Sequence, residues 1–141
     1  QFEEHEYEAL VLYWTQACEG GKSISCFKLG YMYHEGQGVE QDDEQSAKWS
    51  EKACEGGIGP GCVNLGIMYT KGWGVEKDPE QASKLFRKAC EGGDAKACTF
   101  LGFMYHKGLG VEQDPESAAK WRKKACDLGY TEACGEDLVY E

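Results

Sequence analysis

The cysteines of this chain recur at a fixed interval, and this interval constrains the fold more than any other sequence feature. Corresponding members of neighbouring cysteine pairs always lie 36 residues apart, and the pairs are Cys18/Cys26, Cys54/Cys62, Cys90/Cys98 and Cys126/Cys134. Periods of about 20 to 50 residues are typical of solenoids, in which each unit buries its apolar face against its neighbours. We therefore predict one elongated array in place of a single globular core.

Many other residues share this period. They include Leu-Gly at 29, 65 and 101, Tyr at 33, 69 and 105, Gly-x-Gly-Val from 36, 72 and 108, and Asp at 42, 78 and 114. We expect three complete units between two partial ones. The predicted boundaries are 1–22 for an N-terminal partial repeat of the helix B type, 23–58, 59–94 and 95–130 for the repeats, and 131–141 for a C-terminal partial repeat or cap.

The first half of each unit predicts a helix, which we call helix A. In the second unit Cys62, Leu65 and Tyr69 are spaced as one face of a helix. Gly66 lies in the middle of this helix, where glycine costs about 1 kcal/mol relative to alanine, so we expect a second helix to approach closely there. The Gly-x-Gly-Val segment is expected to end helix A, because glycine favours the left-handed conformation found after a helix.

The second half of each unit predicts a second helix, helix B. Asp78-Pro79-Glu80 and Asp114-Pro115-Glu116 place a capping carboxylate before a proline at the first helical position, and Asp42-Asp43-Glu44 is a weaker copy. The expected inward face of helix B in the second unit is Ala82, Leu85, Phe86 and Ala89. Aromatic residues in phase with the repeat at Trp49 and Trp121 favour helix packing over disorder.

The combination of Leu-Gly-x-x-Tyr, Gly-x-Gly-Val, Asp-x-Glu, Trp or Leu, and Lys-Ala resembles the Sel1-like repeat, a relative of the tetratricopeptide repeat. With a cysteine at each end of the turn between repeats, the chain is similar to the Helicobacter cysteine-rich protein family. The resemblance implies an all-α fold, a right-handed superhelix or solenoid of helix pairs with one disulfide per repeat. Asp137 and Leu138 depart from the Leu-Gly pattern, which suggests a cap at the C-terminal end.

The spacing between paired cysteines is compatible with that pairing, because it places them at the end of one helix B and the start of the next helix A. Eight buried, reduced cysteines are an alternative. A zinc site is a third and less favoured interpretation, since no Cys-x2-4-Cys pair occurs. Disulfides imply an oxidising compartment, so we expect a secreted or periplasmic protein.

Charge and hydropathy limit the classes of partner. The net charge is -10, and residues 1–46 hold ten acidic residues against Lys22 and Lys28. This field repels phosphate, so we expect neither nucleic acid nor an anionic membrane surface as partner. No apolar run approaches the roughly 20 residues that span a bilayer. The first residues do not resemble a signal peptide, so we interpret the chain as a mature or excised fragment.

The chain contains no convincing catalytic, metal or cofactor motif. Ser-x-x-Lys occurs at Ser25 and Ser117, but the partner motifs Ser-Asp-Asn and Lys-Thr-Gly are absent. The Gly-x-Gly segments lack the third glycine and the preceding strand of a nucleotide loop, and no His-Glu-x-x-His helix occurs. Members of the cysteine-rich family are described as penicillin-binding proteins or slow β-lactamases, so the resemblance implies β-lactam binding or hydrolysis as an alternative function.

Tetratricopeptide-like packing implies that the A helices line a concave surface. We expect this surface to carry Phe27, Tyr31, His34, Val63, Asn64, Ile67, Thr70, Lys71, Thr99, Phe103, His106 and Lys107. Tyr31, Ile67 and Phe103 form an apolar row of the kind that marks interaction sites, although packing between helices is an equal alternative. We therefore predict a non-catalytic scaffold for a peptide or protein segment, and leave open self-association through the terminal half-repeats.

Overall fold

The computed structural model describes residues 3–135, which form seven α-helices, one 3₁₀ turn and no strand. The bounds are α1 Glu4–Glu19, α2 Ser23–Glu35, α3 Asp43–Glu55, α4 Gly59–Lys71, α5 Pro79–Glu91, α6 Ala95–Lys107, α7 Pro115–Asp127 and the 3₁₀ turn Thr131–Ala133. Each helix packs mainly on its neighbours in sequence. This confirms the predicted all-α solenoid of helix pairs. Asp137 and Leu138 lie outside the described residues.

The predicted carboxylate caps begin the B helices. The Oδ1 atoms of Asp42, Asp78 and Asp114 each accept a hydrogen bond from a backbone N–H three residues later. The side-chain hydroxyl and the backbone N–H of Ser117 both donate to Asp114, and they hold the pKa of its carboxyl below the ordinary value. These local bonds satisfy helix donors that would otherwise lack partners.

Two glycines of the second unit have the roles that their positions predict. Gly72 ends α4 in the left-handed conformation, with φ 73° and ψ 36°. A Cβ added at Gly66 would lie 2.8 Å from the Phe86 ring of α5, so the paired helix B approaches closely at this point. Only glycine permits this separation without a shift of the ring.

The second glycine of Gly-x-Gly-Val joins neighbouring repeats. Gly74 has φ 72°, and a Cβ added there would overlap the Asp43 carbonyl and lie 2.8 Å from the backbone nitrogen of Glu44. The loop after α4 therefore rests directly on the first turn of α3, in the preceding repeat. Gly38 and Gly110 make the corresponding close approaches to α1 and α5.

The disulfides staple consecutive helix pairs. The bonded pairs are Cys18–Cys26, Cys54–Cys62, Cys90–Cys98 and Cys126–Cys134, with Cα–Cα distances from 4.5 to 4.9 Å. Each bond links the end of one helix B to the segment that opens the following unit. The local pairing is confirmed, and because all eight cysteines are bonded, the alternatives of reduced cysteines and of a zinc site are wrong.

Candidate functional site

Helices α2, α4 and α6 are the A helices of the three repeats, and we call the surface that they share the A-helix surface. A first pocket of about 250 Å³ lies mainly between α2 and α4. Its walls include Tyr31, His34, Asn64, Ile67, Met68 and Trp73. A second pocket of about 490 Å³ lies mainly between α4 and α6. Its walls include Ile67, Lys71, Lys77, Phe100, Phe103 and Leu109.

Ile67 lines both pockets, so the two are adjacent and share one wall. Tyr31 is 49% exposed, and Ile67 and Phe103 are each half-buried. The predicted apolar row is therefore open to solvent in part, and it runs across all three repeats. Ile67 also contacts the interior, since it packs on the core cluster that contains Leu101 and Met104. Partial exposure fits an interaction surface for all three residues, and packing between helices also holds for Ile67.

The two pockets bring together seven of the predicted residues, namely Tyr31, His34, Asn64, Ile67, Thr70, Lys71 and Phe103. Val63 is only 4% exposed, so its inclusion in a contact surface is wrong and we remove it. It belongs to the buried core cluster that also contains Cys62 and Phe86. Phe27 packs partly on the N-terminal core, and Thr99 donates a hydrogen bond to the Ala95 carbonyl. His106 and Lys107 line neither pocket.

The pockets are also lined by residues that were not predicted, among them Lys77 and Phe100. Trp73 and Leu109 are two further residues of this kind. They occupy the variable position of Gly-x-Gly-Val, which is Gln37 in the first repeat. Trp73 is 41% exposed and Leu109 is 44% exposed. A large apolar residue in an otherwise polar turn is the sequence feature that could have indicated their place on this surface. These side chains extend the apolar surface from the helices onto the loops.

Trp73 organises the polar edge of the first pocket. Its ring stacks on the imidazole of His34, with ring centroids 5.6 Å apart and an interplanar angle of 29°. His34 Nδ1 lies 2.8 Å from Asp43 Oδ1, so Asp43 fixes the imidazole from the other side. The Lys71 ammonium lies 5.7 Å from the Trp73 ring centroid, within the range of a cation–π contact. The chain therefore holds these groups in place without a ligand.

The Ser-x-x-Lys serines have structural surroundings. Ser25 is 6% exposed, and the Ser117 hydroxyl donates to Asp114 Oδ2 at 2.8 Å as part of the cap of α7. Ligand atoms of Glu3, His5 and Glu6 lie within 4.8 Å of one another on the exposed first turn of α1. There the Glu6 side chain accepts from the Glu3 backbone as part of a capping box. The described contacts of both serines and of the Glu3, His5 and Glu6 cluster are therefore structural ones.

None of the helices in residues 3–135 has the length and apolar character needed to cross a bilayer.

The helix pairs, the regular staples and the shared A-helix surface define the chain as a disulfide-linked helical solenoid of the repeat-scaffold class. The model of the Sel1 repeat matches residues 23–58, 59–94 and 95–130. The chain belongs to the Sel1 repeat family.

Three solved structures show the extent of the similarity. Helicobacter pylori cysteine rich protein B is 31% identical with a TM-score of 0.75, and the match covers 95% of this chain and 96% of that one. A Sel1 repeat protein from Oxalobacter formigenes is 33% identical with a TM-score of 0.77, over 81% of this chain and 47% of that chain.

The third structure is c5321, described as a protective antigen present in uropathogenic Escherichia coli strains. It is 35% identical with a TM-score of 0.82, and the match covers 86% of this chain and 26% of that one. The chain thus spans about half of the Oxalobacter protein and about a quarter of the Escherichia coli protein. None of the curated protein sequences matches the chain significantly.

Proposed function

We propose that this protein is a non-catalytic scaffold that binds an extended segment of another protein along its A-helix surface. The observation that carries the proposal is the pair of adjacent, mainly apolar pockets that share Ile67. Exposed apolar patches of this kind are typical of interaction sites. Repeat scaffolds commonly use such extended surfaces to hold their partners.

The rigidity of the surface supports the proposal. Disulfides and close glycine contacts fix the spacing of α2, α4 and α6, and the Asp43–His34–Trp73 contacts fix the edge of the first pocket. A surface that is already ordered loses little conformational entropy when a segment binds. Most of the conformational entropy lost on binding would then be that of the flexible partner.

A capture experiment tests the proposal. The wild-type protein is immobilised and exposed to extract from its native compartment, alongside the variant Tyr31→Ala/Ile67→Ala/Phe103→Ala. Leu12→Ala/Tyr13→Ala/Leu128→Ala is the matched control, because it also removes three exposed apolar side chains but none from the A-helix surface.

We expect the pocket variant to lose about tenfold or more in affinity, as interface hot spots do when truncated. The control should retain the wild-type affinity. Circular dichroism verifies that both variants keep their helices. Equal capture by the wild-type protein and the folded pocket variant would contradict the proposal.

The alternative from the cysteine-rich family, β-lactam binding or slow hydrolysis, stays a prediction. None of the described residues forms an arrangement that favours it. A chromogenic cephalosporin tests it directly: reproducible turnover that is lost on reduction of the disulfides would support an enzyme.

The compartment of action follows from sulfur chemistry. Four disulfides indicate an oxidising environment, since cytosolic thiols are kept reduced. Secretion or a periplasmic location is our proposal for that environment. Self-association through the terminal half-repeats also stays a prediction, and sedimentation of the purified protein at increasing concentration tests it.

A further inference from the structure

We infer that the second pocket receives a large apolar side chain next to a carboxylate, so that the partner is an extended acidic–apolar segment. This inference rests on the proposed function, and it specifies the chemistry of the segment. It follows from the composition of the second pocket and from the positions of the charges around the A-helix surface.

The floor of the second pocket selects an apolar side chain. Phe100 and Phe103 of α6, Ile67 of α4 and Leu109 of the following loop all line this pocket. The volume of about 490 Å³ lies within the range of about 300 to 1,000 Å³ that is typical of ligand sites. Water in such a space gains few hydrogen bonds from the walls. An aromatic or large aliphatic side chain would displace it favourably.

The rim of the second pocket selects a negative charge. Lys71 and Lys77 both line it, and across residues 3–135 neither ammonium has a carboxylate within 4.0 Å. The Lys71 ammonium lies 5.7 Å from the centroid of the Trp73 ring, and Trp73 lines the first pocket. A ligand carboxylate next to the buried apolar side chain would meet two cations at the rim. Charge complementarity of this kind sets specificity more than it sets affinity.

The first pocket is not lined by lysines. This difference between the pockets predicts the direction in which the bound segment runs along the A-helix surface. No lysine or arginine is among the residues that line the first pocket, and its His34 already contacts Asp43. The first 46 residues are also strongly acidic, with ten acidic residues against two lysines. An acidic group at the first pocket would lie close to the Asp43 carboxylate, which contacts His34, and would be repelled. We therefore place the acidic part of the segment at the second pocket and its uncharged part at the first.

The test compares short capped peptides that present a central Phe followed by Asp, by Asn or by Lys. Binding to the wild-type protein is measured by fluorescence polarisation at low salt. We expect the Asp peptide to bind about tenfold more tightly than the Asn peptide and the Lys peptide to bind most weakly. The preference should shrink at about 0.5 M NaCl, where exposed charges are screened.

Two variants assign this preference to the rim. Lys71→Glu/Lys77→Glu should abolish or reverse the preference for Asp. Lys96→Glu/Lys123→Glu changes the net charge equally, but neither residue lines the pocket, so it should keep the preference. If both variants lose the preference, it comes from net charge, and if both keep it, Lys71 and Lys77 are not its source. Either result would show that the inference is wrong.

The outcomes separate the inference from the proposed function. Equal binding of the Asp and Asn peptides to the wild-type protein would overturn the inference and leave the scaffold function standing. Absence of binding by every Phe peptide, together with failed capture from extract, would overturn both. Sedimentation showing a dimer that Lys71→Glu/Lys77→Glu dissociates would assign the pocket to a second copy of the chain, and would also overturn the inference.

Discussion

Gly74 offers a direct test of how neighbouring repeats are coupled. Replacement by alanine introduces a methyl group at φ 72°, where it overlaps the Asp43 carbonyl and lies 2.8 Å from the Glu44 nitrogen. Gly72, two residues earlier, has nearly the same φ of 73°, but a Cβ there would lie 3.4 Å from the nearest atom, the Lys77 Cβ. The two glycines therefore separate the conformational penalty from the steric one.

The magnitudes follow from these geometries. Both substitutions incur the penalty of a left-handed alanine, about 1 to 2 kcal/mol. Gly74→Ala adds overpacking of about 1 to 3 kcal/mol, toward the upper end because the obstructing atoms belong to backbone and not to a flexible side chain. We expect Gly72→Ala to lower the free energy of unfolding by about 1 to 2 kcal/mol and Gly74→Ala by about 3 to 5 kcal/mol.

Urea unfolding under non-reducing conditions, followed by far-UV circular dichroism, measures both variants. Gly74→Ala should also broaden the transition, because its loop joins α4 to the start of α3 and the stability of an array depends on such interfaces. The two alanine variants could instead lose the same free energy of unfolding, with the same dependence on urea concentration. In that case the contact between Gly74 and Asp43 does not couple the repeats.

Three further predictions concern the scaffold. Replacing Cys90 and Cys98 together by alanine should lower the free energy of unfolding by about 2 to 3 kcal/mol, measured against the oxidised wild type in urea. Gly66→Ala should lower it by about 1 kcal/mol, since crowding against Phe86 outweighs the gain in helix propensity, and trimming that ring to Leu should restore part of the loss. Asp114→Ala should destabilise the protein at neutral pH. Because the folded-state pKa of Asp114 is lowered, its contribution is present above the ordinary value of 3.8 and is lost as pH falls through the folded value, so unfolding midpoints of wild type and variant should converge in acid.

The repeat period and the local helix signals were sufficient to predict the helix pairs. The capping residues Asp78 and Asp114 act through backbone groups within three residues, so their effect does not depend on the rest of the fold. Gly72 ends its helix for a similarly local reason. The disulfide pairing could be expected for the same cause, because each bond spans only eight residues.

The surface was less predictable, because exposure depends on atoms contributed by other repeats. Phe27, Val63 and Thr99 share one phase of the repeat, yet Val63 is buried while the other two are half-buried. Trp73 lies in a turn that sequence patterns mark only as a helix terminator. Its place in the first pocket comes from stacking on His34 of the preceding repeat.

The array and its helix ends could be derived from the residues alone, because they depend on interactions over a few residues repeated at a constant interval. The same interval favoured local sulfur bonds, and the structure then excluded the two alternatives that had stayed open. The folded arrangement was needed to show which side chains remain open to a partner, that Ile67 lies between two pockets, and that Lys71 and Lys77 line the same pocket. Those properties arise where side chains from different repeats meet, and the distances between such side chains are not encoded in any one repeat.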